Sequence, residues 1–179
     1  KIIGPPTTVS DEIFHGVLFY YLLAPIYFFT GGNVEVAAGV LRVINAAGVF
    51  LVFYIGLNLF NRFVGLLSAL LYAISYEQSQ YSLFFGHPSL GIISVLIFYL
   101  GLSLLIFKEN PKGLPIALAG LGLAIQAEAV NGFIILLFFA YILFYKKEFL
   151  KVSSRFKILS ILVFLITLSS YILSEIKYR

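Results

Sequence analysis

Five apolar runs, at 36–60, 63–76, 90–107, 130–145 and 158–173, fill most of the chain and are separated by short polar joints. A helix needs about 17–25 apolar residues to cross a hydrocarbon core about 30 Å thick. A chain that is 61% hydrophobic and 11% charged, with a mean hydropathy of +1.02, carries too little polar surface for a water-exposed domain. The pattern predicts an all-α, multi-pass transmembrane helical bundle, because a helix satisfies its backbone polar groups internally when water is absent. Residues 1–179 read as a single membrane domain, with an external loop and interfacial helix over 1–35 and transmembrane helices over 36–174.

The net charge is +4, yet the basic residues flank the spans and form no soluble patch, which argues against a nucleic-acid partner. There is no cysteine, so there is neither a disulfide framework nor a thiolate metal site. With two histidines far apart, a zinc site is not expected either. The chain has no Met, opens Lys1-Ile2-Ile3-Gly4 and closes on a polar stretch at Arg179, as expected of an internal piece of a longer protein.

Charge also predicts sidedness. If the joint at Asn61-Arg62 is cytoplasmic, 77–89 is external and 108–112 is internal again. The run 114–125 is too short to cross alone and continues through Gln126, Glu128 and Asn131 into 133–145. One reading is a single long helix, which would put Lys112 and Lys146-Lys147 on opposite sides. The other is a short-helix hairpin with its polar tip outward. The hairpin keeps Lys108, Lys112, Lys146, Lys147, Lys151, Arg155 and Lys157 on the side of Arg62, so the positive-inside bias favours it. The front segment differs: 1–16 is polar and turn-rich, and 17–31 is aromatic, with Pro25 inside and Gly31-Gly32 as the stop. Tyr20, Tyr21 and Tyr27 suit an outer-surface amphipathic helix at the headgroups.

Four stretches carry a family resemblance. They are Phe14-His15-Gly16-Val17-Leu18-Phe19-Tyr20-Tyr21-Leu22-Leu23-Ala24-Pro25, followed by Gly31-Gly32 and Leu41-Arg42; the turn from Leu59 to Ser75; Tyr81-Ser82-Leu83-Phe84-Phe85-Gly86-His87-Pro88-Ser89-Leu90; and Leu121-Gly122-Leu123-Ala124-Ile125-Gln126. In this order and spacing the chain resembles the polyprenyl-phosphate-dependent membrane glycosyltransferases of the GT-C fold, the protein mannosyltransferase-like and aminoarabinose transferase-like enzymes. It departs from the family pattern with Leu at 83 where Arg is common, His at 87 where Asn is more usual, and Glu at 128 where His often falls.

The resemblance implies a cell-envelope enzyme of the cell membrane, its active site facing outside. It would move a sugar from a polyprenyl-phosphate-linked donor to a glycan, lipid or protein acceptor. It also implies that the main catalytic acid lies upstream of Lys1. Within the chain, Asp11 and Glu12 are the catalytic candidates, since a carboxylate can take the acceptor's proton or hold a cation against the phosphate. Their plainer reading is a helix start capped by Ser10. His15, Arg42 and His87 are candidates for the donor phosphate. Arg42 sits about two turns inside a span, where a charge must snorkel, pair with an acid such as Glu35, or grip a lipid phosphate. Glu77, Gln126, Glu128 and Glu175 are further polar candidates. Glu77, with Gln78 and Gln80, also reads as a solvated loop, and Gln126 and Glu128 as the hairpin tip. A divalent cation is the one cofactor under consideration. A transporter or lipid flippase is the rival reading, from the broken polar stretch at 120–132. A non-catalytic membrane subunit is a third.

The sidedness can be checked directly because the chain is free of cysteine. Single cysteines at Ser79, Asn110 and Ser153 are expected to react with an impermeant thiol reagent in intact cells at Ser79 alone. Labelling at Asn110 or Ser153 without Ser79 would invert the topology.

Overall fold

The computed structural model describes Gly4, Phe14 and residues 16–178, apart from the side chains of Ser174, Glu175 and Tyr178. Asp11, Glu12 and His15 lie outside the described residues, as does the Glu175 side chain. The described residues form eleven α-helices and one 3₁₀ turn. Helix α1 spans Leu18–Thr30 and stops where Gly31 takes φ 64°, a left-handed cap that suits glycine. Helices α2 (Val34–Ala46) and α3 (Gly48–Leu59) run on through Ala47, which keeps helical angles, as one 26-residue apolar helix. Asn61 caps α4 (Arg62–Ala73) by accepting the Val64 N–H, and Ser75 caps α5 (Tyr76–Leu83) by accepting the Gln78 N–H. Residues 77–80, open to a loop reading in the sequence, are therefore helical: the serine cap closes a new turn directly after α4.

Helix α6 (Pro88–Phe107) starts with Pro88 in its first turn, where a missing N–H costs nothing. Helix α7 (Gly113–Ala127) returns beside it. The chain then passes through a 3₁₀ turn (Ala129–Phe133) into α8 (Ile134–Phe144), the short α9 (Lys146–Lys151), α10 (Ser154–Thr167) and α11 (Ser169–Tyr178). The run 158–173 is thus divided at Leu168. Of all these, Val34–Leu59 and Pro88–Phe107 are long and apolar enough to cross a membrane, at about 39 Å and 30 Å of helix.

The centre of the fold is the α6–α7 pair. A Cβ at Gly101 would overlap the Ala117 backbone, one at Gly113 the Gly101 carbonyl, and one at Gly120 the Phe98 backbone. The two backbones touch because these positions have no side chain. Phe98, Ala117, Leu118 and Leu121 close the seam, and Ile134, Ile135, Phe138 and Phe164 pack over it from α8 and α10. Gly56 and Gly65 make the same close approach between α3 and α4.

α7 and α8 run antiparallel. Leu121 packs with the start of α8, and Leu114 packs with Tyr141 near its end. The stretch 114–145 is therefore two arms that reverse at 128–133, as the hairpin reading expects. Leu105, Leu114, Tyr141 and Val152 share one cluster with Phe149 and Phe156, so the end of α6, the start of α7, the end of α8, α9 and the start of α10 meet at one end. Asn58 reaches Ser103 there from α3 (3.0 Å), which brings the Arg62 joint alongside. The basic residues of 62, 108–112 and 146–157 thus gather at one end, and His87, Gln126 and Glu128 at the other.

Burial is inverted relative to a water-soluble domain. Phe28, Phe29 and Phe144 are 82%, 82% and 84% exposed, while Asn45 and Ser89 are fully buried. The buried hydroxyls bond to carbonyls of their own helix, Ser94 to Leu90 and Ser160 to Phe156, at 2.7 Å and 2.6 Å. Only 22% and 39% of the most apolar stretches of the two long helices is buried, unlike the core helix of a soluble protein.

The glycine seam predicts a contrast. Gly120→Ala would drive a methyl group into the Phe98 backbone and is expected to cost about 1–3 kcal/mol. Gly39→Ala, on the open face of α2 with nothing within 4 Å, is expected to be neutral or stabilising. Thermal unfolding in detergent distinguishes them; equal midpoints would show that α6 and α7 do not pack as closely as described.

Candidate functional site

The polar end is built around a helix break. α7 ends at Glu128, whose backbone is extended (φ −146°, ψ 121°). The Glu128 N–H still donates to the Ala124 carbonyl (3.0 Å), and Asn131 turns its side-chain amide back onto the same oxygen (2.9 Å). The last carbonyl of α7 to accept a helical N–H thus takes a second donor, and the next one, Ile125, accepts the Tyr171 hydroxyl (3.5 Å). The extended residue turns the Glu128 side chain toward the start of α6. There His87 stands immediately before Pro88, and its Nε2 lies 3.4 Å from Glu128 Oε1, with both side chains about a quarter exposed. The amino end of α6 adds a partial positive charge beside the carboxylate. Phe19 of α1 meets the imidazole edge-on (6.4 Å between ring centres) and Phe85 likewise (5.8 Å). The start of α1 therefore packs over the pair.

A cavity of about 940 Å³ opens from Glu128 and Asn131. Gln80 and Tyr81 of α5 line its polar part. Its wall is the α6 stripe Pro88, Gly91, Ile92, Val95, Leu96 and Tyr99, one helical face from 88 to 99 that extends about 17 Å. The cavity therefore has a polar head and a long apolar side.

Behind the break, Gln126 is buried and donates to the Thr167 carbonyl (2.7 Å) and the Ser170 hydroxyl (2.6 Å), tying α7 to α10 and α11. A Cβ on Gly16 would overlap the Gln126 side chain, so the chain just ahead of α1 lies directly against α7. The Tyr171 hydroxyl donates to the Phe14 carbonyl (3.0 Å) and holds the same stretch from α11.

The structure thus joins two residues that the sequence singled out separately, His87 and Glu128. Gln126, two residues before Glu128, is engaged in packing. Glu77 is exposed in the first turn of α5. Arg42 is exposed on α2 and does not line the cavity. Among the described residues it has no carboxylate partner, so the ion pair with Glu35 is not made. Its face, with Glu35, Gly39 and Ala46 at helical spacing, is open. Gln80, Tyr81 and Tyr99 were not singled out as site residues. The signal for Tyr99 was a polar ring in a leucine-rich span at i+11 from Pro88. Among the described residues, no three of His, Asp and Glu group as metal ligands.

Residues 14–173 match the dolichyl-phosphate-mannose-protein mannosyltransferases. The chain belongs to this family. Its members are membrane glycosyltransferases that draw on polyprenyl-phosphate sugar donors. No curated protein and no solved structure matches the chain. The matched range runs from Phe14, held by Tyr171, through the cavity helices to α11, so it contains the whole polar end.

For a mannosyltransferase-family chain of this geometry, His87 and Glu128 should behave as a unit. His87→Ala and Glu128→Gln are each expected to lower the thermal midpoint in detergent, and the double variant to lower it by less than the sum. The coupling expected for a partly exposed pair is about 0.5–1 kcal/mol. Strict additivity would show that the contact carries no energy.

Proposed function

We propose that the protein transfers a sugar from a polyprenyl-phosphate-linked donor to an acceptor on the extracytoplasmic face of a membrane that it crosses several times. The observation that carries this reading is the cavity with a polar head and an apolar flank, in a chain of a polyprenyl-phosphate-dependent family. The flank along α6 suits an isoprenoid tail, and the head, with Gln80, Asn131 and the Glu128 carboxylate, suits the hydroxyls of a sugar. The short helices α4, α7 and α8 cross as members of the bundle, α7 inside it and α4 and α8 with their apolar faces to lipid, and the basic end faces the cytoplasm.

In the reaction the acceptor hydroxyl attacks the anomeric carbon. The bond from that carbon to the phosphate oxygen breaks with its electron pair, and polyprenyl phosphate leaves. The hydroxyl proton passes to a carboxylate. Within this chain Asp11 and Glu12 are the carboxylates for that step, assisting the principal base that the family resemblance implies. His15, Arg42 and His87 are the cationic and donor groups for the phosphate. Arg42 is suited to that task because a guanidinium stays charged and forks across two oxygens. On the open face of α2 it is accessible to a ligand from the bilayer side. Glu128, drawn to His87, holds the imidazole and contributes an acceptor for sugar hydroxyls.

Two substitutions in the full-length enzyme test the reading. Gly91→Leu fills the cavity along α6 and is expected to lower transfer from a long-chain polyprenyl donor at least tenfold, with a smaller effect on a short-chain donor. Arg42→Lys is expected to fold and to weaken donor use, and Arg42→Ala to weaken it further. Unchanged transfer by a well-expressed Arg42→Ala enzyme would remove Arg42 from the phosphate site. Unchanged transfer by Gly91→Leu would remove the tail from this cavity.

A further inference from the structure

The end of the bundle opposite the cavity has a surface that the reaction does not use. α9 carries Lys146, Lys147 and Lys151, all exposed, and the fold brings Lys108, Lys112 and Arg155 beside them. Two acids, Glu109 and Glu148, stand in the same region. Glu109 is occupied by Lys151 at 3.6 Å, an exposed pair that leaves Glu148 alone against Lys108, Lys112, Lys146, Lys147 and Arg155. Directly next to this charge lie three large apolar side chains pointing outward: Leu143 is 78% exposed, Phe144 84% and Leu150 60%. The other side of α9 is anchored inward through Phe149, and Val152, directly after it, is buried in one cluster with Leu105 and Leu114. Lys157 lies over the Phe149 ring at 5.0 Å, so the following turn is also held down.

We propose that this end is a docking surface for the anionic headgroups of the surrounding bilayer, with α9 seated in the headgroup layer. The apolar side chains of 143, 144 and 150 enter the acyl boundary, and the lysines stay in the plane of the phosphates. Charge complementarity and the adjoining apolar rim select a lipid surface. A water-soluble anion would have no use for exposed Leu143 and Phe144, and an acidic protein would leave them facing lipid without explaining the cations between them. The inference rests on the membrane setting alone and stands whatever sugar is transferred.

The chain contains no Trp, so Leu150→Trp in the full-length protein gives a local reporter once any other Trp of that protein is replaced by Phe. The protein is reconstituted in vesicles containing brominated phosphatidylglycerol or brominated phosphatidylcholine at equal mole fraction. Quenching is expected to show an association about three- to tenfold stronger for phosphatidylglycerol. Raising salt to about 0.5 M, where the screening length falls below about 5 Å, should bring the ratio close to one. The combined Lys146→Gln, Lys147→Gln, Lys151→Gln variant should do the same. The salt measurement needs no folded triple variant. A second reporter, Ile74→Trp, 69% exposed before substitution and at the far end of α4, should show no preference. Equal quenching by both lipids would overturn the proposal, as would a preference that survives both salt and neutralisation, or an equal preference at position 74. Loss of the preference with inorganic phosphate at constant ionic strength would mark a free-anion site and would overturn it too.

Discussion

Gly101, Gly113 and Gly120 let α6 and α7 touch backbone to backbone, and the places of the other helices follow from that contact. In surroundings as apolar as the side chains themselves, no hydrophobic gain drives one helix onto another, so close packing and interhelical hydrogen bonds must do it. The α6–α7 seam supplies the packing. Asn58 to Ser103 and Gln126 to Thr167 and Ser170 supply bonds that bring α3, α10 and α11 to the central pair. The large apolar residues are left to face outward, which is why so many of them are exposed.

The same requirement explains the polar end. A helix can be broken in an apolar setting only if its freed carbonyls find donors. The Tyr171 hydroxyl meets that need at Ile125, and Asn131 adds a second donor at Ala124, the last carbonyl with a helical partner. Once the break is tolerated, Glu128 turns out of the helix line and meets His87. The pair therefore depends on a hairpin tip and on a helix start that are forty residues apart in sequence, and neither has a local reason to expect the other.

Much of the helical content was legible because long apolar runs bounded by Asn, Pro and Gly have few alternatives. Asn61, Pro88 and Gly31 mark helix ends in the structure where their chemistry places them. The reversal at 128–133 was legible as well, since a single helix would have split the lysines between two ends. Two local features were not. Residues 77–80 were open to a loop reading, yet Ser75 closes a helix over them. The run at 158–173 reads as continuous, yet it divides at Leu168, beside the Gln126 contact with the Thr167 carbonyl.

For the site the division has the same physical root. Composition and period determine that the chain is helical and apolar, and that most of its cations fall in a few short joints, because those properties belong to each residue and its near neighbours. His87 and Glu128 could each be singled out as polar groups in apolar company. Their distance, the cavity beside them and the use of Gln126 in packing could not. These depend on how closely α6 approaches α7 and on where α5 and α8 then fit. Side-chain volume along a seam decides that approach, through contacts between residues far apart in the chain, and only the tertiary structure expresses it.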